Sequence, residues 1–222
     1  MHRKGKKTSV YLVDDHPVVR QSLTNLLNQE PQFQVCGEAE DISNALRDIE
    51  NRKPDIVILD LSLNGGSGFE LIKGLKQRLP QIAIIVFSMH DEKLYAERCI
   101  RAGASGYVMK RESTKRILKT IEDVLEGRMG VSEQIFDMFA AKFIGGRKID
   151  NQVPLGELSD RELQVFNLLG QGQPTKKIAQ NLDVNIKTVQ AHCAKIKSKL
   201  HLATATELLR EATKWFEDSS TF

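Results

Sequence analysis

Residues 56–70 read IVILDLSLNGGSGFE. Four consecutive Ile, Val and Leu side chains form a run that is apolar on both faces. That pattern fits an inner strand of a parallel sheet covered on both sides, not a strand with one face in water. The run stops at Asp60, a glycine-rich turn follows, and Phe69, Ile72, Leu75 and Leu79 then recur at helical spacing. Working outward, the same unit repeats. Val10–Val13, Phe33–Cys36, Ile82–Phe87 and Tyr107–Met109 read as further strands. The intervening stripes are Val19, Leu23, Leu26 and Leu27, then Ile42, Ala45, Leu46 and Ile49. A weaker stripe around Leu94–Ala102 and a last one at Ile117, Ile121, Val124 and Leu125 complete the series. Five βα units predict an α/β doubly wound five-stranded parallel sheet.

Polar residues gather where these strands end. Asp14 and Asp15 close the first strand, Asp60 the third, Ser88 the fourth and Lys110 the fifth. In a doubly wound sheet all of these positions lie at the carboxyl edge, and the first and third strands flank the switch point at which such folds bind ligands. Three neighbouring carboxylates raise one another's pKa unless a cation relieves them. An all-oxygen site with room for water suits Mg²⁺. A bound divalent ion neutralises an incoming phosphoryl group, and an aspartate then serves as nucleophile to give an aspartyl phosphate. Lys110 supplies fixed positive charge and Ser88 a hydroxyl donor, the positioning that phosphoryl transfer requires. His16 and His90 fall beside this pocket, where lone histidines are more often surface residues.

The stretches VDDHPVVR, ILDLSLNGGSGFE, VFSMHDE and AGASGYVMK together resemble the signature segments of response-regulator receivers of the NarL/FixJ family, over roughly residues 8–128. The resemblance implies a flavodoxin-like receiver with strand order 2-1-3-4-5. It implies Asp60 as phospho-acceptor, with Asp14, Asp15, Asp60 and the Ser62 backbone carbonyl holding Mg²⁺. Ser88 and Tyr107 would be the switch pair, Lys110 the phosphoryl contact, and a sensor histidine kinase the donor. Two departures stand out. Asn64 occupies a position where many relatives carry proline, which predicts a more mobile loop, and Arg111 rather than proline follows Lys110.

Residues 129–153 read as a linker that includes a helix near Gln134–Ile144, carrying Ile135, Met138, Phe139 and Phe143, before GGRKIDNQVP. Beyond it, residues 154–222 are patterned as four helices. Ser159 with Glu162 is a capping box, with Leu158 before it and Leu163, Phe166 and Leu169 as the stripe. A short helix near Lys176–Leu182 and a turn capped by Asn185 lead to a longer helix, Ile186–Leu200. Thr204 with Glu207 opens a final helix through Trp215. Val189, His192, Ile196 and Leu200 form the inner stripe of the longer helix, so His192 is expected to be packed. Its opposite face carries Lys187, Gln190, Ala191, Ala194 and Ser198, side chains small enough to enter a major groove, with Gln suited to adenine and Ala to a thymine methyl. Residues 176–199 hold six lysines against Asp183 alone, an electrostatic footprint for a polyanion.

ELSDRELQVFNLLGQG, KKIAQNLDVNIKTVQAH and KIKSKL resemble the LuxR-type helix-turn-helix. The resemblance implies an all-α four-helix helix-turn-helix domain that binds double-stranded DNA. The contact set would be Thr175, Lys176, Lys187, Thr188, Gln190, Ala191, Ala194, Lys195 and Lys199, with Leu208 and Ala212 of the final helix at a dimer contact. The function expected is a phosphorylation-controlled transcriptional regulator that binds DNA as a homodimer and is not itself an enzyme.

The remaining features are bland. The basic stretch of residues 1–7 carries +4, leads into no apolar segment and reads as a disordered arm and not a secretory signal. The longest apolar run is far too short to span a bilayer. Cys36, Cys99 and Cys193 have no metal or disulfide spacing, and Cys193 is expected to pack. A cytoplasmic protein with no membrane partner is the expectation. A phosphatase of the haloacid-dehalogenase kind would need its aspartates as D-x-D on the first strand, whereas here they are adjacent. A constitutive DNA binder with an idle receiver would not need the intact acidic pocket.

Overall fold

The computed structural model describes residues 7–63, 66–145 and 155–220. The chain divides into two compact units, residues 1–147 and 148–222. In the first, five strands form one parallel sheet: β1 (Thr8–Val13), β2 (Phe33–Ala39), β3 (Ile56–Leu59), β4 (Ala83–Ser88) and β5 (Gly106–Met109). Their spatial order is β2-β1-β3-β4-β5, as expected for a receiver. One element was not anticipated. Ser62–Leu63 and Gly66–Ser67 form a tiny antiparallel hairpin straight after β3, so that in strict chain order the sheet runs 2-1-3-6-7. The segment is too short to carry a period-2 pattern. Asn64, which bears the predicted loop mobility, lies outside the described residues, as do residues 1–6 and 146–154.

Helices α1 (Pro17–Gln29), α2 (Ile42–Arg52), α3 (Gly68–Arg78), α4 (Glu92–Ala102) and α5 (Thr114–Leu125) connect the strands. Every side chain of β3 is buried. Val10, Leu12, Ile56, Ile58, Ile85 and Val108 pack with Leu23 and Leu27 of α1 and Ile117 and Ile121 of α5. Each such wholly buried aliphatic side chain contributes about 1.5–3 kcal/mol. Local chemistry sets the helix starts: Asp41, Ser67 and Asp91 each accept a hydrogen bond from a first-turn amide. α6 (Glu133–Gly145) follows, with Ile135 buried, Phe136 exposed and the side chain of Phe143 outside the described residues.

The second unit holds α7 (Asp160–Gly170), α8 (Thr175–Asn181), α9 (Ile186–Lys199) and α10 (Ala205–Ser220), after a 3-10 turn at Leu155–Glu157. The Ser159–Glu162 capping box is complete, and Asn185 caps α9 through the Thr188 amide at 2.8 Å. Glu207 reaches the Ala203 amide at 2.8 Å while its own amide donates to Thr204 at 3.1 Å. Leu163, Val165 and Phe166 are buried on α7, and Val189, Ile196 and Leu200 at and after α9. His192 is half-buried, its pKa lowered chiefly by burial. Cys193 is half-buried and burial pushes its thiol up, the reverse of an activated thiolate.

One expectation is overturned here. Leu208 and Ala212 are 3% and 1% exposed within their own domain, Ala212 beside Gly170 of α7, so they offer no outer surface for a dimer. Leu209, the neighbour of Leu208, is the exposed apolar residue of α10. No helix of the described residues is long and apolar enough to cross a membrane.

Two tests follow from this packing. A Cβ on Gly170 would meet the Ala212 carbonyl, so Gly170→Ala forces α7 and α10 apart. A loss of about 1–3 kcal/mol in urea unfolding is expected. Glu162 is the second case. Burial alone would raise its pKa, but the Lys199 ammonium and the Ser159 donors outweigh burial and hold the carboxyl below the ordinary glutamate range. A carboxyl so lowered stabilises fully above its unfolded value of about 4.3. That stabilisation fades as pH falls through the folded value. Glu162→Gln should therefore show a thermal midpoint that changes less than wild type between about pH 6 and pH 3.

Candidate functional site

The parallel register brings the strand ends together. Val13 pairs with Leu59, and the Asp60 amide donates to the Val13 carbonyl at 2.9 Å, which sets Asp14 and Asp60 side by side. On the other flank the Lys110 amide donates to the Ser88 carbonyl at 2.8 Å. Lys110 then reaches across the edge. Its Nζ lies 2.7 Å from Asp14 Oδ2 and 2.7 Å from Asp60 Oδ2. Asp14 and Asp60 are each 3% exposed, so this cluster is withdrawn from water. Burial alone would lower the Lys110 pKa, but the Asp60 and Asp14 carboxylates outweigh it and raise it.

Asp15 is the outlying carboxylate. Burial pushes its pKa up, and the Asp60 and Asp14 charges push the same way against His16 and Lys110. Its Oδ1 is buried without a hydrogen-bond partner, and the nearest counter-group is His16 Nδ1 at 2.7 Å, which is cationic only when protonated. Asp14, Asp15, His16 and Asp60 can bring one ligand atom each to within 4.8 Å of one another. Three carboxylates gather around one buried lysine, with only the exposed His16 beside the third. That donor set fits a hard divalent cation.

Ser62 sits in the hairpin after β3, its amide 3.3 Å from Asp60 Oδ1. Ser88 and Tyr107 are wholly buried. The Tyr107 hydroxyl donates to the His90 carbonyl at 2.9 Å. Burial above all, with Ser88 opposing through a side-chain hydrogen bond, raises the Tyr107 pKa far beyond its usual value. The expectation of surface histidines needs correction for His90 alone. His16 is a surface residue but contacts both Asp14 and Asp15. His90 is built into the site: its Nε2 lies 3.0 Å from Ser62 Oγ, and its ring stacks on Tyr95 at 4.5 Å. The Ser62 contact joins positions 28 apart, so no local pattern in the sequence could signal it.

In the second unit, α8, a turn with Asp183 in the left-handed region, and α9 form a helix-turn-helix. Lys187, Gln190, Ala191, Ala194, Lys195 and Ser198 are exposed together on α9, opposite Val189 and Ile196. Lys176 is exposed on α8, and Thr175 is its half-buried first residue. Two expected contact residues are engaged within the chain. The Thr188 hydroxyl bonds to Asn185 at 3.0 Å. Lys199 Nζ lies 2.7 Å from Glu162 Oε2 and 3.0 Å from the Glu157 carbonyl. Lys199 thus completes the α7 cap and neutralises a buried acid, and it could reach a phosphate only by abandoning both.

Comparison with known proteins agrees with both halves. Residues 10–122 match the response regulator receiver domain, and residues 156–212 match the bacterial regulatory proteins of the luxR family. The transcriptional activator protein ExaE of Pseudomonas putida is 34% identical, over 91% of this chain and 94% of its own length. The DNA-binding transcriptional activator DevR/DosR of Mycobacterium tuberculosis is 32% identical, over 92% and 94%. RcsB from Salmonella enterica serovar Typhimurium, solved bound to promoter rprA in the presence of phosphomimetic BeF3-, superimposes with a TM-score of 0.63 at 27% identity, over 94% of this chain and 99% of that one. The acidic strand-end cluster, the helix-turn-helix and these matches together establish the chain as a two-component response regulator of the NarL/FixJ family, a transcriptional regulator that joins a receiver domain to a LuxR-type DNA-binding domain.

Proposed function

We propose that Asp60 accepts a phosphoryl group from the phosphohistidine of a sensor kinase, and that this controls DNA binding by α9. The supporting observation is the buried convergence of Asp14, Asp60 and Lys110, with Asp15 beside them. A carboxylate oxygen of Asp60 attacks phosphorus, and the P–N bond breaks with its electron pair leaving on the histidine. Lys110, already 2.7 Å from Asp60, stays to neutralise the new phosphoryl oxygens. Asp14, Asp15, Asp60 and the Ser62 carbonyl would hold Mg²⁺, which when bound supplies compensation for the added negative charge. The Ser88 hydroxyl donates to the phosphoryl group, and the buried Tyr107 ring beside it would hold the shifted loop through the His90 carbonyl. The receiver would promote only its own phosphorylation and dephosphorylation. Residues 8–128 form that receiver, residues 129–153 the linker and residues 154–222 the output domain. A protein that takes its phosphoryl group from a kinase and acts on DNA would work in the cytoplasm.

On DNA, a homodimer would set two copies of α9 in successive major grooves of a two-fold site. Lys176, Lys187 and Lys195 would meet phosphates, while Gln190, Ala191 and Ala194 would face base edges.

Incubation with acetyl phosphate and Mg²⁺ should add one phosphoryl group by intact mass, and EDTA or Asp60→Asn should abolish it with the fold unchanged. Equal labelling of Asp60→Asn would refute the assignment. In salt titrations of DNA binding, Lys187→Ala should reduce the slope by about 1. Gln190→Ala should lose about 1–3 kcal/mol of discrimination at one base pair. Lys199→Ala should instead lower stability and leave the salt slope alone, because its partner is Glu162.

A further inference from the structure

The outer edge of the receiver sheet is closed by the chain that leads to α6. Gly130 forms a parallel bridge with Gly106. The Tyr107 amide donates to the Gly130 carbonyl at 2.8 Å, and the Gly130 amide to the Ser105 carbonyl at 3.0 Å. This contact requires two glycines. A Cβ on Gly130 would lie 2.6 Å from the Thr120 methyl, and one on Gly106 would lie 2.8 Å from the Gly130 carbonyl oxygen. Two residues on, the Ser132 amide donates to Glu92 Oε1 at 2.9 Å, and the Ser132 hydroxyl accepts from the Ile135 amide at 3.3 Å to start α6. Val131 and Ile135 are buried beside it.

Glu92 is 4% exposed, and Ser132 provides its one hydrogen bond among the described residues. A charge removed from water and held by a single backbone donor is sensitive to small displacements. Glu92 is also the first residue of α4, directly after the loop that carries Ser88 and His90. The short segment 88–92 therefore touches the acidic pocket at one end and the start of α6 at the other. Tyr107 links the same two places, through its hydroxyl to the His90 carbonyl and through its amide to Gly130.

We infer that Glu92 is a coupling residue: its buried carboxylate clamps the start of α6 to the receiver, and phosphorylation opens the clamp. The inference rests on the proposed role of Asp60. When the Ser88 hydroxyl turns to the phosphoryl group, the 88–92 loop that begins at Ser88 is drawn with it. Glu92 then withdraws from Ser132, and the chain leading to the DNA-binding unit is freed at its root.

The test uses the full chain. Amide hydrogen exchange across residues 130–136 is measured with and without acetyl phosphate and Mg²⁺, alongside Asp60 labelling and DNA affinity. In wild type, exchange there should be slow and rise about tenfold on phosphorylation. Glu92→Ala should exchange fast without the donor, label Asp60 as wild type does, and bind DNA with an affinity the donor no longer changes. Glu92→Gln keeps an acceptor oxygen and should stay near wild type. A folded Glu92→Ala protein with slow exchange in residues 130–136 overturns the inference. If Glu92→Ala does not fold, wild type decides: a donor-dependent rise in DNA affinity with no change in that exchange overturns it equally. Failure of Asp60 to label in wild type would indict the site assignment instead, with the clamp still judged by Glu92→Ala exchange.

Discussion

The structure of the receiver turns on one lysine placed between two buried carboxylates. Lys110 bridges Asp14 and Asp60 at 2.7 Å each, within a cluster almost closed to water. Buried charges are tolerated only when paired. Asp15 adds a third carboxylate whose nearest counter-group is the exposed His16 at 2.7 Å. The pocket is thus held together by the Lys110 ion pairs and offers carboxylate oxygens beyond those that Lys110 meets.

That cluster depends on backbone register. Parallel pairing of β1 with β3 and of β4 with β5 places residues distant in sequence at one edge. The polar side chains add little to the sheet itself, whose stability comes from the apolar strands and the helices that cover them. A stable scaffold and an electrostatically unsatisfied edge are therefore compatible. The same edge reaches outward through Tyr107, whose hydroxyl meets the His90 carbonyl and whose amide meets the Gly130 carbonyl.

In the DNA-binding unit the division of labour among lysines is decided by neighbours. Lys199 lies in the last turn of α9, where it meets the Glu162 carboxylate of the α7 capping box. Lys187 and Lys195 are exposed on the outer face of α9. The basic character of α9 thus overstates the number of cations available to DNA.

Much was determined by the sequence alone. The apolar run of β3, the helical stripes and the caps at Ser159 and Asn185 are local patterns. Their physics acts over a few residues, so periodicity and spacing expose them. The strand-end positions of Asp14, Asp60, Ser88 and Lys110 follow once the sheet is granted. Tertiary structure alone decided which side chains meet across the chain. His90 met Ser62 of the β3 hairpin, Lys199 met Glu162, and Leu208 and Ala212 were buried within their own domain. Glu92 met Ser132 forty positions away. A contact between distant segments depends on how whole elements pack, and no periodicity within either segment encodes it.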